Sequence, residues 1–213
     1  LRSATAIGDG KPPPIATLCC VNVIQSESNL NGQTLVGLDF TAQRATDVMF
    51  SRCSLTNSVF ARTQLHKLDL SQSTVSECDL ANAVWEAARL EKVELKHCRM
   101  TGLNLTQALL KDSVFQGCEA SLSTFRTATF RKVRFVDCNL QDADFQRADL
   151  RQAVFENCNL RRAQFSFAKL DGTDFRGCAI EEIQVGVEHL RGAVVDPTQA
   201  AYLASLMGIK VVY

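Results

Sequence analysis

From Leu30 onward a large apolar residue returns at every fifth position, and the residues between are mostly small or polar. The series Leu30, Leu35, Phe40, Ala45, Phe50, Leu55 runs without insertion to Leu190, and of its 33 positions only Ala45 and Ala120 are not large and apolar. Two residues ahead of each central position sits a second inward candidate, usually small, as at Ala83, Ala88, Ala108, Ser113, Ala143, Ala148 and Ala163. The other three places in each five are mostly Asp, Asn, Arg, Lys, Gln, Thr, Ser or Gly, which suits solvent and turns. A helix repeats its apolar face about every 3.6 residues and a strand every second residue, so neither accounts for a period of five.

A longer period lies inside the short one. Cys78, Cys98, Cys118, Cys138, Cys158 and Cys178 all take the small inward place, twenty residues apart. Phe115, Phe135, Phe155 and Phe175 form a second column at the same interval, and Leu70, Leu90 and Leu110 a third. Like stacking on like after twenty residues predicts a coil of four five-residue sides. With strands ~4.8 Å apart, about eight coils make a rod on the order of 40 Å long.

The repeat resembles A(D/N)LXX. On the stretch ADFQRADLRQAVFENCNLRRAQF, Ala143 to Phe165, the chain is similar to the pentapeptide-repeat family, and the resemblance runs from about Ser28 to Leu190. It implies an all-β solenoid: a right-handed quadrilateral β-helix of about eight 20-residue coils, with a short C-terminal α-helix and strand. The expected division is 1–27 as a flexible N-terminal segment with a cap, 28–190 as the β-helix, and 191–213 as a capping helix and dimerisation strand. Ile15, Leu18, Cys20 and Val23 fit the inward places, so a partial coil is expected to begin near Ile15.

Once the period breaks after Leu190, DPTQAAYLASLMG reads as a helix with Asp196 as N-cap, Pro197 at its first position and Gly208 just past its end. Ala200, Leu203, Ala204 and Met207 fall at helical spacing and are expected to form one apolar face. Tyr202, Leu206, Ile209, Val211, Val212 and Tyr213 then leave more apolar surface than one small cap requires, which points to a dimer.

Composition adds exclusions. Lys plus Arg and Asp plus Glu number 23 each, so bulk charge gives no reason to expect direct nucleic-acid binding. No apolar run approaches the roughly 20 residues of a membrane span, and a cytoplasmic chain is expected. The nine cysteines include no C-x-x-C pair, and His66, His97 and His189 lie at scattered outward positions. The cysteine column therefore reads as buried structural thiols, and stacked parallel side chains hold β-carbons too far apart for an unstrained disulfide. Neither a catalytic group nor a metal or cofactor site is predicted.

Asp137, Asp142, Asp144 and Asp149 occupy polar repeat positions and are the carboxylates a partner would meet. Arg126, Arg131, Lys132 and Arg134, with Arg147, Arg151, Arg161 and Arg162, are expected to form a basic band over adjacent coils.

The segment LRGAVVDPTQAAYLASLMGIKVV resembles the C-terminus of the Qnr-type quinolone-resistance proteins and related antibiotic self-resistance proteins. Val195, Gln199, Ala200, Leu203, Ala204, Met207, Gly208 and Ile209 carry that resemblance. It implies a rod-shaped homodimer joined through its C-terminal ends that binds DNA gyrase or topoisomerase IV. Such a protein protects the enzyme from fluoroquinolones or natural toxins by mimicking duplex DNA, and performs no reaction itself. This sequence departs from that pattern in having no projecting loop and no net charge. A scaffold binding some other protein through the sides of the rod is the alternative.

Overall fold

The computed structural model describes residues 23–212. The expected N-terminal segment, with its partial coil at Ile15, Leu18 and Cys20, lies outside the described residues, apart from its last residues from Val23 on; so does Tyr213.

The chain winds as a parallel β-solenoid with four sides. Side one is centred on Leu30, Phe50, Leu70 and their successors, side two on Leu35 and Leu55, side three on Phe40 and Phe60, and side four on Ala45 and Leu65. Each residue pairs with the one twenty positions on, as in Leu70↔Leu90, Leu95↔Phe115 and Phe135↔Phe155. Side one forms a six-stranded sheet from Asn29–Asn31 to Thr129–Arg131, and side two a seven-stranded sheet from Thr34–Val36 to Val154–Glu156. On side four only Arg44–Thr46 and Gln64–His66 pair as strands, and side three is held by single bridges.

Regular strands thus cover about six turns, fewer than the eight or so expected. The register itself continues beyond them through single bridges such as Asp149↔Lys169 and Asp174↔Val194. Sides of three residues bounded by turns leave room for little more than one ladder pair, so small shifts decide between strand and bridge.

The corners explain the five-residue period. Two residues after the central positions, up to the short helical turn at Val187, the backbone turns left-handed, with φ of 57° at Ala42, 58° at Arg62 and 55° at Asn82. The corner after side three is closed in coil after coil by a turn hydrogen bond, from Gln43 N to Phe40 O (3.1 Å) up to Ile183 N to Ile180 O (3.2 Å). A non-glycine residue there is disfavoured by roughly 1–2 kcal/mol. The corner amides offset this by donating to the next coil, as in Arg62 N to Ala81 O (2.9 Å).

The core is one continuous column. Phe115, Phe135, Phe155 and Phe175 stack on side two with ring centroids 4.6, 5.0 and 5.3 Å apart, and Phe125, Phe145 and Phe165 stack on side four at 4.8 and 5.0 Å. The two columns meet edge to face, as at Phe135–Phe145, where the rings lie at 83°. Offset stacks and T-shaped contacts are the arrangements aromatic quadrupoles prefer, so one repeat satisfies both geometries.

The cysteine column runs beside them, buried from Cys78 to Cys178. Each thiol donates to a main-chain carbonyl, as in Cys138 to Phe115 O and Cys158 to Phe135 O, both 3.4 Å. All described cysteines are free, and no cluster of His, Cys, Asp and Glu among the described residues could hold a metal ion. Burial pushes the Cys78 thiol up to about 11, as suits an unreactive thiol.

Candidate interaction surfaces

With the interior filled by side chains, any function belongs to the four sides and the two ends. At the C-terminal end the helix α1, Pro197–Leu206, lies across the last coil. Asp196 caps it: its carboxylate accepts from Gln199 N (2.9 Å), and the Gln199 side chain accepts in turn from Asp196 N (3.0 Å). This reciprocal capping box fixes the helix start.

The buried helix face differs from the expected one. Gln199 and Leu203 point into the solenoid, whereas Ala200 and Met207 are exposed and Ala204 is half-buried. The reason is the open end of the coil, which presents main-chain groups that an alkyl face cannot satisfy. Gln199 Nε2 donates to Phe175 O (2.7 Å) and Cys178 O (2.8 Å), Asp196 Oδ2 accepts from Gly177 N (3.2 Å), and the Tyr202 hydroxyl accepts from Glu182 N (2.6 Å).

Tyr202 therefore faces its own last coil. Beyond the helix, Ile209 to Val212 form no strand, contrary to the expected tail. Leu206, Ile209, Val211 and Val212 are exposed, Val212 by 79%.

The structure does not bring the four singled-out carboxylates together. Asp137 lies at the corner between sides two and three, Asp142 at the next corner, Asp144 on side four and Asp149 on side one, because every five residues carry the chain round a corner. Three of them are ion-paired: Asp142 with Arg162 (2.7 Å), Asp144 with Arg126, and Asp149 with Arg151 (2.7 Å) and Arg131 (3.2 Å). Hydrogen bonds from Arg151 and then Arg131 hold Asp149 far below the usual carboxylate range. Asp137 accepts from Asn157 Nδ2 (3.2 Å).

The expected basic band divides in the same way. Arg126 belongs to side four, Arg134 to side two, and Arg161 and Arg162 to side three and its corner, while Arg131, Lys132, Arg147 and Arg151 share side one and its edges. At one of those edges stands Phe167, 59% exposed in a left-handed corner with φ of 61°. Its sequence signal was available, since the corners one and two turns below carry Arg147 and Thr127.

Comparison with known proteins agrees with the repeat. The family model described as "Pentapeptide repeat region" matches residues 88–154 and 115–185. No curated protein sequence matches significantly. Among solved structures, full-length QnrB1, a plasmid-mediated fluoroquinolone resistance protein, is 17% identical with a TM-score of 0.35, over 85% of this chain and 100% of that one. HetL, a pentapeptide repeat protein involved in heterocyst differentiation regulation in the cyanobacterium Nostoc, is 21% identical with a TM-score of 0.26, over 82% and 91%. A pentapeptide repeat protein of the Arabidopsis thaliana thylakoid lumen is 16% identical with a TM-score of 0.19, over 85% and 75%. The structural likenesses are too weak to add to what the family match and the coil geometry carry.

Proposed function

The chain belongs to the pentapeptide-repeat family, and we propose that it acts as a non-catalytic rod that binds a type II topoisomerase, DNA gyrase or topoisomerase IV, and protects it from fluoroquinolones or natural gyrase toxins. What supports this reading is the C-terminal cap. The residues that resemble the Qnr-type ending, Gln199 and Leu203 above all, are those that close the coil. On this reading the place of action is the cytoplasm; among the described residues no helix is long and apolar enough to cross a membrane.

The protein acts as a homodimer joined through its C-terminal ends, with Leu206, Ile209, Val211 and Val212 as the contact. Tyr202 serves the cap rather than the interface. DNA mimicry is not supported by the charge pattern, because the four singled-out carboxylates are spread round the rod and three of them are paired with arginines. Contact with the enzyme then rests on the shape of the rod and on its ends.

The test is a gyrase supercoiling and cleavage assay with a fluoroquinolone, run with and without the full chain at micromolar concentration. Restored supercoiling and fewer cleaved complexes are expected. No effect on gyrase or topoisomerase IV would leave the second reading, a scaffold for another protein, which the uneven charge on side one favours.

A further inference from the structure

Zero net charge conceals a lopsided surface. Over the last four coils, residues 127–192, side one and its two edges carry the cations Arg131, Lys132, Arg147, Arg151, Lys169 and Arg191, against Asp149, Asp171 and Glu188. The opposite side over the same coils has the reverse balance, with Asp137, Asp142, Glu181 and Glu182 against Arg161 and Arg162. Asp149 is shared between Arg131 and Arg151, so it neutralises only one of them. Lys132, Lys169 and Arg191 form no ion pair among the described residues, and all are exposed.

In the middle of these cations lies apolar surface that folding does not explain. Phe167 gains little from burial, and as a bulky residue at φ of 61° it is held where roughly 1–2 kcal/mol disfavours it. Arg147 lies over its ring, 5.8 Å from the centroid, and the His189 ring packs T-shaped against it with the centroids 5.1 Å apart. Val187, in the short turn of helix one coil on, is 47% exposed. An exposed aromatic fixed by its neighbours and flanked by arginine is the composition of an interaction hot spot.

We propose that this strip, centred on Phe167 and Val187 and bordered by Arg147, Lys169 and Arg191, docks an acidic segment of a partner protein, a run of Asp and Glu with one apolar side chain that seats on Phe167. The inference does not depend on the topoisomerase reading, since any partner presenting such a segment fits. Nucleic acid fits less well. The unpaired cations are few compared with the roughly 6–10 phosphate contacts of a strong binder. Arg147 already covers one face of the ring that a base would stack on.

The probe is a fluorescein-labelled peptide of Glu and Asp with one central Leu, titrated with the full chain at low salt and followed by anisotropy. Saturable binding that weakens as salt rises is expected. Phe167→Asn should weaken it about tenfold, the scale of a hot-spot truncation, while leaving the melting midpoint unchanged or higher, since Asn tolerates left-handed corners. Replacing the peptide's Leu with Ser should cost a similar factor, and Lys169→Glu with Arg191→Glu should abolish binding in a chain that still melts cooperatively. The idea fails if the folded full chain does not bind the peptide, or if Phe167→Asn binds as tightly as the parent. A labelled oligothymidylate that binds more tightly through the same residues would also overturn it, in favour of nucleic acid.

Discussion

The main-chain carbonyl of Cys178 accepts a hydrogen bond from the Gln199 side chain at 2.8 Å. One coil below, the carbonyl of Cys158 accepts from the backbone amide of Ala179, twenty-one residues on, at 3.0 Å. The backbone amide that would come next in that series is Gln199's own, and it is engaged in capping the helix. A side-chain amide therefore continues the ladder where the backbone has left it.

Gln199→Leu keeps the volume of the plug but removes both side-chain bonds to the last coil and the Gln199 half of the capping box, while Asp196 still accepts from the backbone amide at position 199. The Cys178 carbonyl left without its partner should destabilise the protein by about 1–3 kcal/mol. Thermal unfolding measures the total, and hydrogen exchange should quicken first in the last coil. Ala200→Ser, on the exposed face of the same helix, should change stability by no more than about 0.5 kcal/mol.

The cysteine column offers a test of inertness. Ser58 occupies the same column one coil before Cys78 and donates to Thr56 O (3.1 Å). Cys158→Ser should therefore find the same kind of carbonyl acceptor, fold, and keep whatever binding activity the parent has. Phe145→Ala, which opens a hole between Phe125 and Phe165, should instead cost about 3–5 kcal/mol. A loss of binding on Cys158→Ser at unchanged stability would give the thiols a role that their burial does not suggest.

The intervals of five and twenty made the interior legible, because every inward place is set by the same two numbers. The interval from Cys138 to Cys158 is one turn of the coil, as the bridge Asn139↔Asn159 beside it shows. The surface was harder to read for the same geometric reason. Asp142, Asp144 and Asp149 are close in sequence yet lie on different parts of the circumference, while true surface neighbours, such as Arg131 and Arg151, stand twenty apart. Gln199 stands out through the C-terminal resemblance and not through helical periodicity, which finds apolar faces, whereas the open coil needs an amide.

Acid should act through the paired carboxylates. Hydrogen bonds from Lys111 and then Arg89 lower the Glu91 carboxyl from 4.5 to about 2. A depressed carboxyl contributes stability that is complete above its unfolded value and drains away as pH falls toward the folded one. Between about pH 4.5 and 2 the parent should therefore lose stability more steeply than Glu91→Gln. Urea midpoints across that window measure it, and parallel profiles would show that the pair contributes nothing.

If the C-terminal ends join two copies, Leu206→Asp with Val212→Asp should convert a dimer into a monomer without changing the circular dichroism. Sedimentation velocity at micromolar concentration distinguishes the two. A parent that already sediments as a monomer would remove the dimer and leave the exposed residues at that end to some other partner.

The unbroken register also makes the rod a dividing head. Each five residues index the chain by a quarter turn, so inserting one repeat between Phe167 and the cap would swing the cap round to the next compass point relative to the strip, and inserting four would bring it back into line one coil farther away. Bearing and distance between strip and tip can thus be set separately, and the phenylalanine and cysteine columns stay in line when the insertion is a whole coil of twenty residues.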